Sequence, residues 1–184
     1  INAAYVNYNR AFKGFMIQAG LRIENTNSNG HSTGVLNNGN ATSFDSSVKR
    51  NYVGLFPSAA ITYNKNPMNQ WGITYSRRID RPAYQDLNPF EFRLNDYSTM
   101  KGNTKLRPQY TNSFGITNIY KYKLTTTFNY SHVKDIFAQV PDTADKTKGF
   151  LYKNNLATQD VFALNINYPF HYKCYSFFAS VNSN

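Results

Sequence analysis

Apolar and polar side chains alternate along most of this sequence, and a period of two residues sorts them onto separate faces only in an extended strand. In residues 15–24 the odd positions carry Phe, Ile, Ala, Leu and Ile, whereas the even positions are more polar. Residues 3–12 alternate less cleanly, because Arg10 falls on the apolar parity. The same alternation recurs in residues 53–64, 71–76, 114–116, 124–131, 162–168 and 175–181. We therefore predict an all-β chain, an antiparallel up-and-down meander of about eight strands.

The composition excludes several other classes of protein. Of the 184 residues, 41% are hydrophobic and 16% are aromatic, which is too apolar for a disordered chain. The apolar stretches are short, far below the ~20 residues that a membrane-spanning helix needs. The single Cys174 excludes an internal disulfide and a four-cysteine zinc site. Because the sequence enters strand-like alternation at once, without Met or a charged leader, we expect an interior piece of a longer, processed chain.

The connections between the predicted strands alternate between short and long. Short connections with turn chemistry fall at residues 13–14, 64–69, 120–123 and 169–173. Long connections are predicted at residues 25–50, 79–108 and 134–154, and loops of this length are uncommon in compact soluble domains. In a meander all the long connections lie at the same end of the sheet, so the two ends are expected to differ.

Aromatic residues cluster beside the four short connections. In a meander these connections share one edge, so the rings are expected to form a belt where an apolar layer meets water. Together with the alternation and the sorted loops, this belt indicates a segment of a transmembrane outer-membrane β-barrel. A soluble β-sandwich acting as a binding module stays open, because its sheets also alternate. The aromatic residues concerned are Phe12, Phe15, Tyr63, Trp71, Tyr120, Tyr122, Tyr168, Phe170, Tyr172 and Tyr175.

Two stretches in the middle of the chain resemble a known family. Residues 74–90 read TYSRRIDRPAYQDLNPF and residues 101–111 read KGNTKLRPQYT. They closely resemble the barrel of TonB-dependent receptors and of the related outer membrane β-barrel proteins abundant in Bacteroidetes. The sequence departs from the family pattern at Thr104, Arg107 and Gln109, where Pro, Lys and an acidic residue are usual. The resemblance is strongest over residues 74–118.

The resemblance implies more than the chain contains. Such receptors have a barrel of about 22 strands and an N-terminal plug that binds TonB through a short box. We therefore expect residues 1–184 to be a single segment of a transmembrane β-barrel domain, without the plug and the remaining strands. The implied function is uptake of a large scarce solute, such as a siderophore, cobalamin, a glycan or a peptide, across the bacterial outer membrane. A non-transporting barrel scaffold of the same family is the alternative.

Four residues are candidate ligand contacts. The strand parity directs Arg77 outward with Tyr75 and Arg78 toward the lumen. An arginine can bind a carboxylate or phosphate of a solute. The simpler partners are lipopolysaccharide phosphates at the membrane rim for one arginine and a lumenal Asp or Glu for the other. In the 79–108 connection, which the family implies to line the external vestibule, the candidates are Tyr84, Arg93 and Tyr97. The proline steps and the Gly-Asn pair of this connection predict that it is ordered.

Charge and motifs indicate partners and exclude others. The net charge is +10 with a pI of about 9.6, but the cations are scattered, so we expect no nucleic-acid partner. The expected partners are outer membrane lipid and lipopolysaccharide, the solute, and TonB through the absent plug region. His31, His132 and His171 lie far apart, and no nucleophile elbow or phosphate loop is present, so we expect no enzyme, no metal and no cofactor.

Overall fold

One ten-stranded sheet accounts for nearly all of the fold. The computed structural model describes residues 1–37, 41–95, 98–142, 149–172 and 175–183. Eight long strands follow one another in chain order, each antiparallel to its neighbour, which confirms the predicted meander. The elements are β1 (Asn2–Phe12), β2 (Phe15–Asn37), β3 (Ala41–Tyr63), β4 (Asn69–Asp80), α1 (Tyr84–Leu87), β5 (Glu91–Arg93), β6 (Ser98–Lys101), β7 (Gln109–Tyr120), β8 (Leu124–Asp142), β9 (Gly149–Tyr172) and β10 (Tyr175–Ser183).

Tight turns join the strands at one end of the sheet, at three of the four positions predicted for short connections; the fourth prediction, residues 169–173, is wrong for residues 169–172, which continue β9 and pair with β10. Gly14 connects β1 to β2 with a φ of 81°, in the left-handed region that suits glycine. Lys121 and Tyr122 adopt positive φ angles of 50° and 57° in the turn between β7 and β8. The β3–β4 connection closes with a hydrogen bond from the Asn69 N–H to the Asn66 carbonyl, 3.0 Å long. We call this side of the sheet the short-turn end.

At the opposite end, two of the three predicted long loops are wrong. Residues 25–50 and 134–154 mostly continue the strands: β2 stays paired with β3 as far as Asn37 and Ala41, and β8 with β9 as far as Asp142 and Phe150. Beyond the apolar segments the side chains no longer alternate between apolar and polar, although the backbone ladder continues. Backbone hydrogen bonds between strands require no repeating pattern of side chains. The sequence therefore predicted loops where the structure has strands.

The apolar residues of neighbouring strands align in rows across one side of the sheet, the apolar face. One such row contains Ile17, Ile61, Ile73, Ile116, Phe128 and Leu164. Ile73 is 52% exposed and Phe114, in the adjacent row, is 50% exposed, so no second layer covers them in the described structure. The sandwich alternative is therefore wrong. No helix among the described residues is long and apolar enough to cross a membrane.

Pairing between β3 and β4 stops at Ser58 and Ser76, although both strands go on. From there β3 continues with β2, and β4 continues with β7 until Asp80 and Gln109. The β2–β3 and β8–β9 hairpins thus extend beyond β4 and β7. Residues 81–108, which we call the insert, run between these two long hairpins and contain α1, β5 and β6.

Candidate ligand-binding site

The insert is fixed to the polar face of the β2–β3 hairpin by Arg81. Its guanidinium donates hydrogen bonds to the Glu24 carboxylate, to Oγ1 of Thr26 at 3.2 Å and to the Tyr52 hydroxyl at 3.1 Å. Glu24 and Thr26 are 8% and 4% exposed. Burial acts to lower the pKa of Arg81, but its bonds to Glu24 and Tyr52 outweigh it, so the pKa is raised. Farther along the hairpin, Nη2 of Arg50 donates to the Thr104 carbonyl at 2.8 Å.

The opposite side of the insert is fixed to the β8–β9 hairpin. Nζ of Lys153 lies 2.9 Å from the Asp86 carboxylate, and Nδ2 of Asn103 donates to the Lys153 carbonyl at 3.1 Å. The Asn155 side chain accepts from the Arg107 N–H at 2.8 Å and donates to the Arg107 carbonyl at 3.0 Å. Strand β6 adds a short parallel pairing with β9. The insert therefore ties the two long hairpins together.

Close internal packing gives the insert a defined shape, as its sequence predicted. The Asn103 N–H donates to the Asp86 carbonyl at 2.6 Å. The backbone of Asn88 approaches Gly102 so closely that a Cβ on Gly102 would overlap it. Leu106 is completely buried. The described part of the insert is thus an ordered wall.

A cavity of about 280 Å³ lies between the insert and the β2–β3 hairpin. Most of its lining is apolar or aromatic, which suits a ligand body that leaves water. Tyr84, a predicted ligand contact, borders it and is 58% exposed. Other lining residues are Val48, Arg50, Tyr52, Pro82 and Leu87.

A second concavity, the notch, opens where β3 and β4 separate, and its volume is about 410 Å³. Arg22 and Arg78 border it from the polar face, and Arg77 borders it from the opposite face. Arg22 is held in place, because its Nε lies 3.1 Å from the Glu24 carboxylate and its guanidinium carbon lies 5.2 Å from the centre of the Phe56 ring. Two guanidiniums beside an aromatic ring can bind a carboxylate or phosphate group. The remaining side chains on the same polar face are Tyr5, Asn7, Ser58 and Ser76.

The structure separates the predicted contacts instead of gathering them. Arg78 lines the notch and Tyr84 the cavity, whereas Arg93 lies on β5, where its Nε donates to the Asn95 carbonyl at 3.4 Å. Tyr97 lies outside the described residues. The expectation that Arg78 pairs with a lumenal acid is wrong for the described part of the chain, since Arg81 takes that role.

Sequence reasoning missed Arg22, Glu24 and Arg81 as parts of the site. The strand parity already placed Arg22 and Glu24 on the polar face, and an acid and a base two positions apart on that face were a visible signal. The contact of Glu24 with Arg81 spans 57 residues of chain, and no local pattern predicts it. Within the described ranges, no three His, Cys, Asp or Glu side chains are grouped as metal ligands.

Comparison with known proteins explains why the apolar face of the sheet is uncovered in the described structure. The model of the outer membrane protein beta-barrel family matches residues 1–184. The chain belongs to this family. Its location is therefore the bacterial outer membrane, where the apolar face contacts lipid and the polar face lines the lumen. Barrels of this kind have short turns on the periplasmic side, so the long hairpins and the insert lie at the outer mouth.

Solved receptors share this fold. The Serratia marcescens hemophore receptor HasR, solved as a double mutant with its hemophore HasA and heme, aligns with a TM-score of 0.72 and 14% identity. The siderophore receptor PirA from Pseudomonas aeruginosa aligns with a TM-score of 0.66 and 14% identity. Each alignment covers 98% of this chain but only 32% and 34% of the receptor chain. The chain thus spans about a third of the length of these receptors. No curated protein matches it.

Proposed function

We propose that this segment belongs to a TonB-dependent outer-membrane receptor that takes up a large scarce solute. The observation that carries the proposal is a pair of concavities on the lumenal wall at the outer mouth, the notch between β3 and β4 and the cavity between the insert and the β2–β3 hairpin. HasR and PirA, which share the fold, are receptors for a hemophore with heme and for a siderophore. A siderophore, cobalamin, a glycan or a peptide remains within this proposal.

The notch and the cavity suit different parts of one solute. Arg78 is exposed and, within the described residues, has no ion-pair or hydrogen-bond partner, so its donors are free to bind an anionic group. Tyr84 and Tyr52 offer aromatic surface to the body of the solute. Arg93 and Tyr97 are proposed as further contacts from the insert. Among the candidate solutes, these guanidiniums favour those that carry carboxylates, phosphates or catecholates.

The proposal includes partners beyond the solute. The outermost long strands of the described sheet, β1 and β10, would pair with further strands in a closed barrel. A plug in that barrel would bind TonB, and the receptor would be of the Bacteroidetes type that residues 74–111 resemble. The outer surface would contact membrane lipid and lipopolysaccharide. We propose no enzymatic role.

Uptake by the full-length receptor tests this function. Cells that produce it would be given radiolabelled ferric siderophores, cobalamin, maltooligosaccharides and oligopeptides, with and without TonB. We expect TonB-dependent uptake of at least one solute, and a tenfold or greater loss of that uptake in Arg78→Ala. Thr111→Ala is the matched control, because Thr111 lies directly opposite Arg78 on β7. Uptake of no solute, or uptake unaffected by loss of TonB, would contradict the proposal.

A further inference from the structure

Two successive rows of side chains mark where the lipid-facing surface changes character. The lower row contains Tyr75, Phe114, Tyr130 and Phe162, whose neighbouring ring centres are 4.8, 6.5 and 4.9 Å apart. The next row toward the outer mouth contains Arg77, Asn112, His132 and Asp160. The apolar band of the membrane therefore ends between these rows, at the depth of the outer-leaflet headgroups.

The single carboxylate of the polar row is already occupied. Asp160 lies 2.7 Å from Nδ1 of His132 and accepts a hydrogen bond from the Tyr130 hydroxyl at 2.8 Å. The nearby Asp135 is bound to Arg107 at 2.8 Å. Neither carboxylate therefore neutralises another cation of this surface.

Arg77 lacks an anionic partner among the described residues. Its guanidinium carbon lies 5.2 Å from the centre of the Tyr110 ring, and its Nε is buried without a hydrogen-bond acceptor. Lys134 stands opposite Tyr110 in the following row, on the same lipid-facing parity, and is exposed. Within the described part of the chain, two cations without an acidic partner thus lie on either side of one aromatic ring at the edge of the apolar band. A guanidinium left there without an anion is costly, because water is scarce on the lipid side.

We propose that Arg77 and Lys134 bind a phosphate group of lipopolysaccharide in the outer leaflet. The planar guanidinium matches two phosphate oxygens, while the ammonium contributes a second positive charge. Tyr110 holds the guanidinium in place, and the aromatic row below contacts the acyl chains. This inference deepens the lipid contact proposed above and rests on the outer-membrane location, not on uptake of a solute.

Lipid binding to the full-length receptor in detergent micelles tests the site. Native mass spectrometry would follow titration with diphosphorylated lipid A and with its dephosphorylated form. We expect Arg77→Gln and Lys134→Gln each to weaken binding of the phosphorylated form at least fivefold, toward the level of the dephosphorylated form. Lys121→Gln is the matched control, because its ammonium lies 5.2 Å from the Tyr120 ring centre at the short-turn end.

Three outcomes would overturn the proposal. They are equal affinity for both lipid A forms, unchanged binding by the two variants, and displacement of lipid A by millimolar inorganic phosphate, which would indicate a free-anion site. Lys134 is exposed on its strand, so its variant reports binding even if Arg77→Gln fails to fold. Solute uptake is read separately in the same variants. Loss of lipid binding with intact uptake supports the lipid site, and a failed uptake proposal leaves this test unchanged.

Discussion

Asp86 and Lys153 form an ion pair, with 2.9 Å between Oδ2 and Nζ, that joins helix α1 of the insert to strand β9. The two residues are 67 positions apart in the chain. The Asp86 side chain is 16% exposed and that of Lys153 is 39% exposed, so the pair is only partly shielded from water. Since Arg81 fixes the start of the insert to Glu24 on the other hairpin, this ion pair completes a bridge between the two long hairpins.

A double-mutant cycle on this pair should give a measurable coupling. We expect Asp86→Asn and Lys153→Gln to show an interaction of about 0.5–1 kcal/mol in the free energy of unfolding, as for partly exposed ion pairs. Urea unfolding of the full-length receptor in micelles provides the measurement. The exposed pair Lys101 and Glu91, 3.5 Å apart, is the control and should couple more weakly. A larger coupling for the control pair would refute the assigned role.

Arg81→Gln should destabilise the outer mouth. The change removes the donors to Glu24, Thr26 and Tyr52 and leaves a nearly buried carboxylate with Arg22 alone. Hydrogen bonds to charged groups contribute ~1.5–3 kcal/mol, so we expect a loss of about 2 kcal/mol in the free energy of unfolding.

Chemical denaturation measures this loss, and Lys49→Gln serves as its control. Lys49 is exposed on β3 of the same hairpin. An equal loss in both variants would show that Arg81 has no special structural role.

Gly102→Ala should disrupt the insert, whereas Gly72→Ala should be tolerated. A Cβ at position 102 would overlap the backbone of Asn88, but at position 72 its nearest neighbour, Cβ of Thr117, is 3.9 Å away. We expect limited proteolysis to cleave the insert of the first variant much faster, while the second resembles the unmodified receptor. Equal protease resistance of both variants would show that the insert can shift away from Asn88.

An arginine introduced at either of two adjacent positions of β4 should affect the receptor differently, because the two side chains lie on opposite faces of the sheet. Ile73 is lipid-facing and 52% exposed, and Thr74 points into the lumen. An arginine on the lipid face costs ~2–4 kcal/mol near the bilayer midplane. Ile73→Arg should therefore reduce the fraction of receptor that becomes heat-modifiable in the outer membrane, and Thr74→Arg should leave it nearly unchanged. The reverse order would mean that the faces are assigned wrongly.

The transmembrane part of the fold was predictable because burial in lipid imposes a period of two. Ile17, Ile73 and Leu164 lie on the face that their parity predicted. The hairpin extensions were not predictable, because their side chains follow no hydrophobic period of two. The lumenal direction of Arg78 followed from parity as well, but its lack of an acidic partner did not. That outcome depends on Arg81 reaching Glu24, a contact that only the folded insert creates.

The contacts of the insert also predict an order of assembly. Each pair of neighbouring long strands apart from β4 and β7 is joined by a nearby reversal of the chain, so these hairpins can zip from their turns with a small loss of loop-closure entropy. Arg81 and Asp86 find their partners only on hairpins that already exist. We therefore expect the insert to dock late in folding, and damage to it should leave a membrane-inserted barrel wall that lacks the link between its two long hairpins.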